Sequence, residues 1–204
     1  IILSRDIMLA EYCGNRRYHA QHISTKGAVE LIRNAKSKGL RVSCEVTPHH
    51  FSLSEELLVT YDSCYKMNPP LRRDQDIEAI IEGLADGTID CIATDHAPHT
   101  LHEKFVELEN APNGIIGLET AIGVSLTHLV HTGKVSINKI IGKEQVKIEN
   151  GEKANLTIFD MNEDWIVDKS KMKSKSTNTP YHNQKLKGIQ KFVFNNNQML
   201  ECSL

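Results

Sequence analysis

The chain has 204 residues, enough for one domain or one domain with a small extension, and its 40% hydrophobic and 25% charged residues match an ordinary globular protein. A net charge of −2, with no basic patch or polybasic tail, argues against nucleic-acid and membrane-surface partners, and no apolar run approaches the ~18 residues of a membrane span. Five scattered cysteines without a C-x-x-C pair make neither a disulfide framework nor a zinc cluster; they predict free thiols in a reducing, cytoplasmic compartment, with Cys44 and Cys91 buried in apolar strands.

The chain opens on Ile1-Ile2-Leu3-Ser4-Arg5-Asp6, with no signal peptide and no initiator Met, so this start is expected to be a cut rather than a natural beginning. Residues 5–13 read as the end of a helix stopped by Gly14, and Tyr18 to His22 as a short strand. Ser24 or Thr25 is placed to cap the next helix, which carries Val29, Ile32 and Ala35 on one face and stops at Gly39. Arg41 to Thr47 is a strand ended by Pro48, which has no N–H for a ladder. Residues 73–86 form a helix with Ile77, Ile80, Ile81 and Leu84 at helical spacing before Gly87. Ile89 to Thr94 is an apolar strand, and residues 118–132 a further helix.

Apolar strands separated by amphipathic helices predict a parallel sheet covered on both faces. Periodicity alone does not separate an open sheet from a closed barrel. The polar residues His22, Thr47-Pro48-His49-His50 and Asp95-His96 nevertheless all fall at C-terminal strand ends, where a (β/α)8 barrel keeps its chemistry. After residue 143 the pattern changes. Leu156–Asp160 and Trp165–Val167 read as short strands, and Lys191–Phe194 with Gln198–Leu200 as a hairpin around Asn195-Asn196-Asn197. The expected division is therefore 1–143 and 144–204, with Lys169 to Lys175 a solvated basic loop.

Four stretches carry candidate chemistry. Ala93-Thr94-Asp95-His96-Ala97-Pro98-His99 puts a carboxylate and two imidazoles directly after a strand, where the carboxylate can bind a metal and move a proton. His22-Ile23-Ser24-Thr25 offers a second ligand from another strand of the same sheet, so His22 and Asp95 could converge on one ion. In Glu45-Val46-Thr47-Pro48-His49-His50 the adjacent histidines point apart on extended backbone, which favours structural roles for both. In Lys66-Met67-Asn68-Pro69-Pro70-Leu71-Arg72 two prolines hold Asn68, whose amide both donates and accepts, as a cyclic amide or imide requires.

These stretches, followed by Gly114-Ile115-Ile116-Gly117-Leu118-Glu119-Thr120, occur in an order that resembles the bacterial type I dihydroorotases of the amidohydrolase superfamily, densely over residues 5–125 and more thinly over the tail. The resemblance implies an α/β fold: the strand 6–8 part of a (β/α)8 TIM-type barrel, followed by the C-terminal part of a small β-sandwich. It implies zinc, as a binuclear centre in a complete protein, with His22 and Asp95 as ligands and Asp95 as general base and acid. It assigns Asn68 and His99 to holding dihydroorotate, and Asn113 and Gly114 to a loop touching its ring through the backbone. His49 and His50 are not ligands in that family. The implied reaction interconverts N-carbamoyl-L-aspartate and L-dihydroorotate in pyrimidine biosynthesis, in a homodimer or beside aspartate transcarbamoylase.

The sequence also departs from the family pattern. The H-x-H pair, the bridging Asp or carboxylated Lys and the His after strand five have no counterpart, so these residues alone are expected to be inactive with little metal affinity. A further barrel helix with an N-P dipeptide is missing near Ile140-Ile141-Gly142-Lys143. The rival readings are a dihydropyrimidinase, hydantoinase or allantoinase, and a non-catalytic subunit scaffolding aspartate transcarbamoylase.

Overall fold

A computed structural model describes residues 1–141 and 149–202. The expected boundary at 143/144, and the Gly142-Lys143 end of the join where a barrel helix is expected to be missing, lie outside the described residues. Helix α1 (Ile2–Tyr12) ends at a turn in which Gly14 takes φ +84°, and β1 (Tyr18–Ala20) follows. Helix α2 (Lys26–Ser37) starts where the Thr25 side chain accepts the Ala28 N–H at 3.2 Å, satisfying a first-turn donor. Its buried face is Val29, Ile32 and Ala35, as the spacing predicts. Strand β2 (Val42–Val46) runs into the short helix α3 (Pro48–Ser52), with Pro48 in a first turn that needs no N–H from it. Two 3-10 turns, Glu55–Thr60 and Ser63–Tyr65, lead to α4 (Asp74–Asp86), closed by Gly87 at φ +85°.

Strand β3 (Cys91–Ile92) completes a parallel sheet in the order β1-β2-β3, with Tyr18 opposite Val42 and Glu45 opposite Cys91. Helices α2 and α4 supply the crossovers that parallel strands require. All three strands therefore end on the same side, and His22, Thr47 and Asp95 follow those ends. Helices α5 (Leu101–Lys104), α6 (Ala121–Ser125) and α7 (Ile137–Ile140) come next, with Leu126–Val130 widening α6 into a π-turn. Strands β4 (Leu156–Ile166), β5 (Lys185–Asn195) and β6 (Gln198–Glu201) form the expected β unit, an antiparallel sheet. Asn196 and Asn197 both take positive φ in the β5–β6 hairpin, as a two-residue primed turn demands. No helix among the described residues is long and apolar enough to cross a membrane.

Three expectations need correction. The strand expected over Ile89–Thr94 shrinks to two residues, and Cys91 is exposed rather than buried. Among the described residues β3 pairs only with β2, so its outer edge stays open, and a cavity of about 490 Å³ separates it from Asn138–Ile141. The helix expected over 118–132 begins only at Ala121. The two strands expected between Leu156 and Val167 are one, interrupted by a bulge where Asp160 accepts the Asn162 and Glu163 N–H groups at 2.8 and 3.2 Å.

The sheet, α2 and α4 share a core with the β unit that includes Ile32, Cys44, Ile80, Leu129, Val167, Tyr181 and Leu186. The junction is tightest at Gly188, at φ +91°, whose carbonyl accepts the Trp165 indole N–H at 2.9 Å. A Cβ there would sit 2.2 Å from Leu126 Cδ1. Gly188→Ala is therefore expected to cost about 2 kcal/mol through strain and overpacking. Thermal unfolding checks this; an unchanged midpoint would show that the β unit can move away from the π-turn without loss.

Candidate active site

The two predicted ligands do converge. His22 follows β1 and Asp95 follows β3; both take left-handed backbone, φ +51° and +47°, and His22 Nε2 lies 3.7 Å from Asp95 Oδ1. Non-glycine residues enter that region at a cost, and such strain collects at functional sites. Behind His22, on the central strand, sits the buried Glu45. Its Oε1 is 3.0 Å from His22 Nδ1, at ion-pair distance but out of line for a hydrogen bond, while its Oε2 is 3.1 Å from His19 Nε2. His19 Nδ1 reaches Ser43 Oγ at 2.8 Å. Neither Glu45 nor His19 is among the candidates that the sequence marks, although a carboxylate inside the apolar run Val42-Ser43-Cys44-Glu45-Val46 is a signal for the first. His19, Glu45 and Cys91 also place one ligand atom each within 4.8 Å of one another. Desolvation, followed by the neighbouring Glu45 and Asp90, raises the Cys91 pKa and so disfavours the free thiolate.

The paired histidines are buried, in keeping with a structural part. His50 Nε2 donates to Pro69 O at 2.9 Å, which leaves Nδ1 to accept from Thr47 Oγ1 at 2.7 Å. It thereby anchors the loop that carries Asn68, which is exposed and makes no hydrogen bond to the described residues. His49 has neither ring nitrogen hydrogen-bonded among the described residues.

The remaining predicted residues lie on two loops stitched together. His99 Nε2 donates to Asn113 O at 2.9 Å, and the Gly114 N–H donates to Lys66 O at 2.9 Å. Gly114 is at φ +111°, and a Cβ there would lie 2.5 Å from Ala97 Cβ, so the close approach needs glycine. His96 serves the backbone instead of the Asp95 carboxylate, since its Nδ1 accepts the Gly117 N–H at 3.1 Å. The buried Asn178, which no sequence signal marked, donates to Ala97 O at 2.9 Å and Gly114 O at 3.2 Å and accepts the His99 N–H at 3.4 Å. The expected solvated loop at Lys169–Lys175 is partly docked, since the Lys173 and Ser174 N–H groups donate to the Glu119 carboxylate at 2.8 and 3.0 Å.

The donor set suits a divalent metal in part. Two ligands of one zinc, each bound at about 2.0–2.2 Å, lie roughly 3–3.6 Å apart, close to the separation of His22 and Asp95. The orphaned Nδ1 of His22 faces a carboxylate, the usual second partner of a metal-bound imidazole. Two protein ligands are fewer than the three of a catalytic zinc site.

Burial pulls the His50 pKa down to about 4, and burial followed by the neighbouring His50 and His22 holds His49 well below its ordinary value. An unfolded histidine takes up its proton near pH 6.5. Stability present at neutral pH is thus lost as the pH falls from there toward 4, by roughly 3 kcal/mol in full for His50. His50→Gln keeps a donor for Pro69 O without titrating. Urea unfolding from about pH 7 to about pH 4.5 should therefore show a shallower loss for H50Q; an equal loss would mean that folded His50 is already protonated.

No family model matches the chain. It is 47% identical to a dihydroorotase of Acetivibrio thermocellus over 92% of this chain and 46% of the relative, and 49% identical to one of Thermoanaerobacter sp. over 93% and 46%. It thus spans about half the length of the curated relatives it matches. Among solved structures, it superposes on an L-hydantoinase (dihydropyrimidinase) of Arthrobacter aurescens with a TM-score of 0.87 at 25% identity, covering 98% of this chain and 48% of that one. A D-hydantoinase of Bacillus sp. AR9 gives a TM-score of 0.83 at 21% identity, over 97% and 48%. The parallel unit is accordingly a partial (β/α)8 barrel, as expected. The chain belongs to the dihydroorotase family and corresponds to the C-terminal portion of its members.

Proposed function

We propose that this chain forms the substrate-side part of a zinc-dependent dihydroorotase that interconverts N-carbamoyl-L-aspartate and L-dihydroorotate in pyrimidine biosynthesis. The observation that carries the reading is the approach of His22 Nε2 to within 3.7 Å of Asp95 Oδ1 at the ends of two barrel strands. The identities of 47% and 49% to dihydroorotases, against 25% and 21% to hydantoinases, favour dihydroorotate over hydantoin or dihydrouracil. Retention of both His22 and Asp95 speaks against a non-catalytic scaffold. Five cysteines, all free, fit the cytoplasm.

In this reading His22 and Asp95 hold the metal, with further ligands from a preceding part of the barrel and a binuclear centre in the whole protein. Bound zinc supplies a Lewis acid and acidifies water. Asp95, about a third exposed, takes the proton of the attacking water and returns it to the leaving ring nitrogen. The exposed Asn68 amide pairs with the ring's amide edge, since it can donate and accept at once. In its cationic form His99 keeps its bond to Asn113 O and offers Nδ1–H to the substrate carboxylate. The Asn113–Gly114 backbone closes over the ring.

The test is turnover of dihydroorotate, hydantoin and dihydrouracil by the protein at the full length of its relatives. Dihydroorotate is expected to be the preferred substrate, and Asp95→Asn to lower kcat about a thousandfold or more. Preference for hydantoin, or full activity of D95N, would sink the reading. Residues 1–204 alone are expected to show no turnover and little zinc on elemental analysis.

A further inference from the structure

Lys104 has no part in the chemistry above, yet it is 0% exposed. A buried ammonium is costly unless compensated. Among the described residues no carboxylate comes within ion-pair distance of it; its partners are two main-chain carbonyls, Pro112 O at 2.8 Å and Lys66 O at 3.4 Å. Those carbonyls belong to the two loops that carry Asn68 and Asn113–Gly114. Lys66 O also receives the Gly114 N–H at 2.9 Å, so one oxygen joins both loops to the same cation. The stem is fixed at its base as well: the Thr100–Glu103 capping box starts α5, and Ser63 Oγ donates to the Lys104 carbonyl. Burial lowers the Lys104 pKa, Lys66 adds to this, and the Asp62 carboxylate opposes it.

We infer that Lys104 is a positioning residue, whose ammonium sets the spacing between the Lys66–Arg72 loop and the Pro112–Gly117 loop and thereby the affinity of the site for its ligand. A cation between carbonyl oxygens suits this because it pulls both inward at once, and charge-assisted hydrogen bonds are stronger than neutral ones. The identity of the ligand rests on the function proposed above; the clamp itself does not.

The test uses Lys104→Met in the full-length protein. Methionine keeps the length of the stem and removes donors and charge, leaving Pro112 O without its Lys104 donor, so a folding control is read in the same experiment. Without ligand, hydrogen exchange of peptides spanning residues 63–72 and 108–117 is expected to speed up about tenfold, with α2 and β2 unchanged as internal controls for folding. With dihydroorotate, KM is expected to rise about tenfold, with kcat within about threefold and zinc content unaltered. Unchanged exchange in both loops would overturn the inference. So would faster exchange throughout the molecule, or a fall in kcat that tracks loss of zinc, since either marks a general structural role. If the wild-type protein fails on dihydroorotate but turns over hydantoin, the proposed function falls, while the exchange comparison still decides the clamp.

Discussion

The buried carboxylate of Glu45 is the interaction on which the rest of the site hangs. It lies on the central strand and reaches His19 and His22 on one side, while its register partner Cys91 stands on the other. A buried carboxylate needs partners; His19 supplies a hydrogen bond, and His22 lies at ion-pair distance. The same contact directs His22 Nε2 toward Asp95. Parallel pairing makes this possible, because strands that run the same way end on the same side and deliver residues from distant sequence positions to one place.

In the proposed function the strand ends form the metal-binding side, and the loops between them and the β unit form the substrate side. These loops satisfy one another's backbone groups: His99 holds Asn113, Gly114 holds Lys66, and His50 holds Pro69. Asn178 ties the two sides together, bonding Ala97, Gly114 and His99 from a segment far down the chain. Tyr181 adds a buried hydroxyl at 2.8 Å from Ser52 Oγ, next to the helix that carries His49 and His50. The C-terminal segment is therefore structural support for the barrel loops and not an appended module.

Buried ionisable groups outnumber those that any catalytic reading uses. Cys44 and Cys64 are pushed up to about 12 and about 11 by burial, so both thiols are inert at neutral pH. His49 and His50 are held neutral in the same way. Low-dielectric surroundings thus quiet Cys44, Cys64, His49 and His50, while Asp95 and Asn68 remain open to solvent.

The sequence by itself determined the elements that depend on local chemistry. Val29, Ile32 and Ala35 at helical spacing, Thr25 as a cap, Gly87 as a stop and the Asn196-Asn197 turn all appear where propensity and backbone conformation require them. It also marked His22, Asn68, Asp95 and His99, because polar residues at strand ends and in a proline-bound loop stand out against an apolar pattern, whereas Asn113 and Gly114 came only from the resemblance to dihydroorotases. Only the tertiary structure decided how short β3 is, since a strand's extent depends on the neighbours it pairs with. Only the tertiary structure gave Glu45, Lys104 and Asn178 their places, since the partners of a buried polar group lie far away in the chain. In sequence Lys104 is one more charge in Leu101-His102-Glu103-Lys104; it becomes a clamp only because folding brings Lys66 O and Pro112 O to the same ammonium.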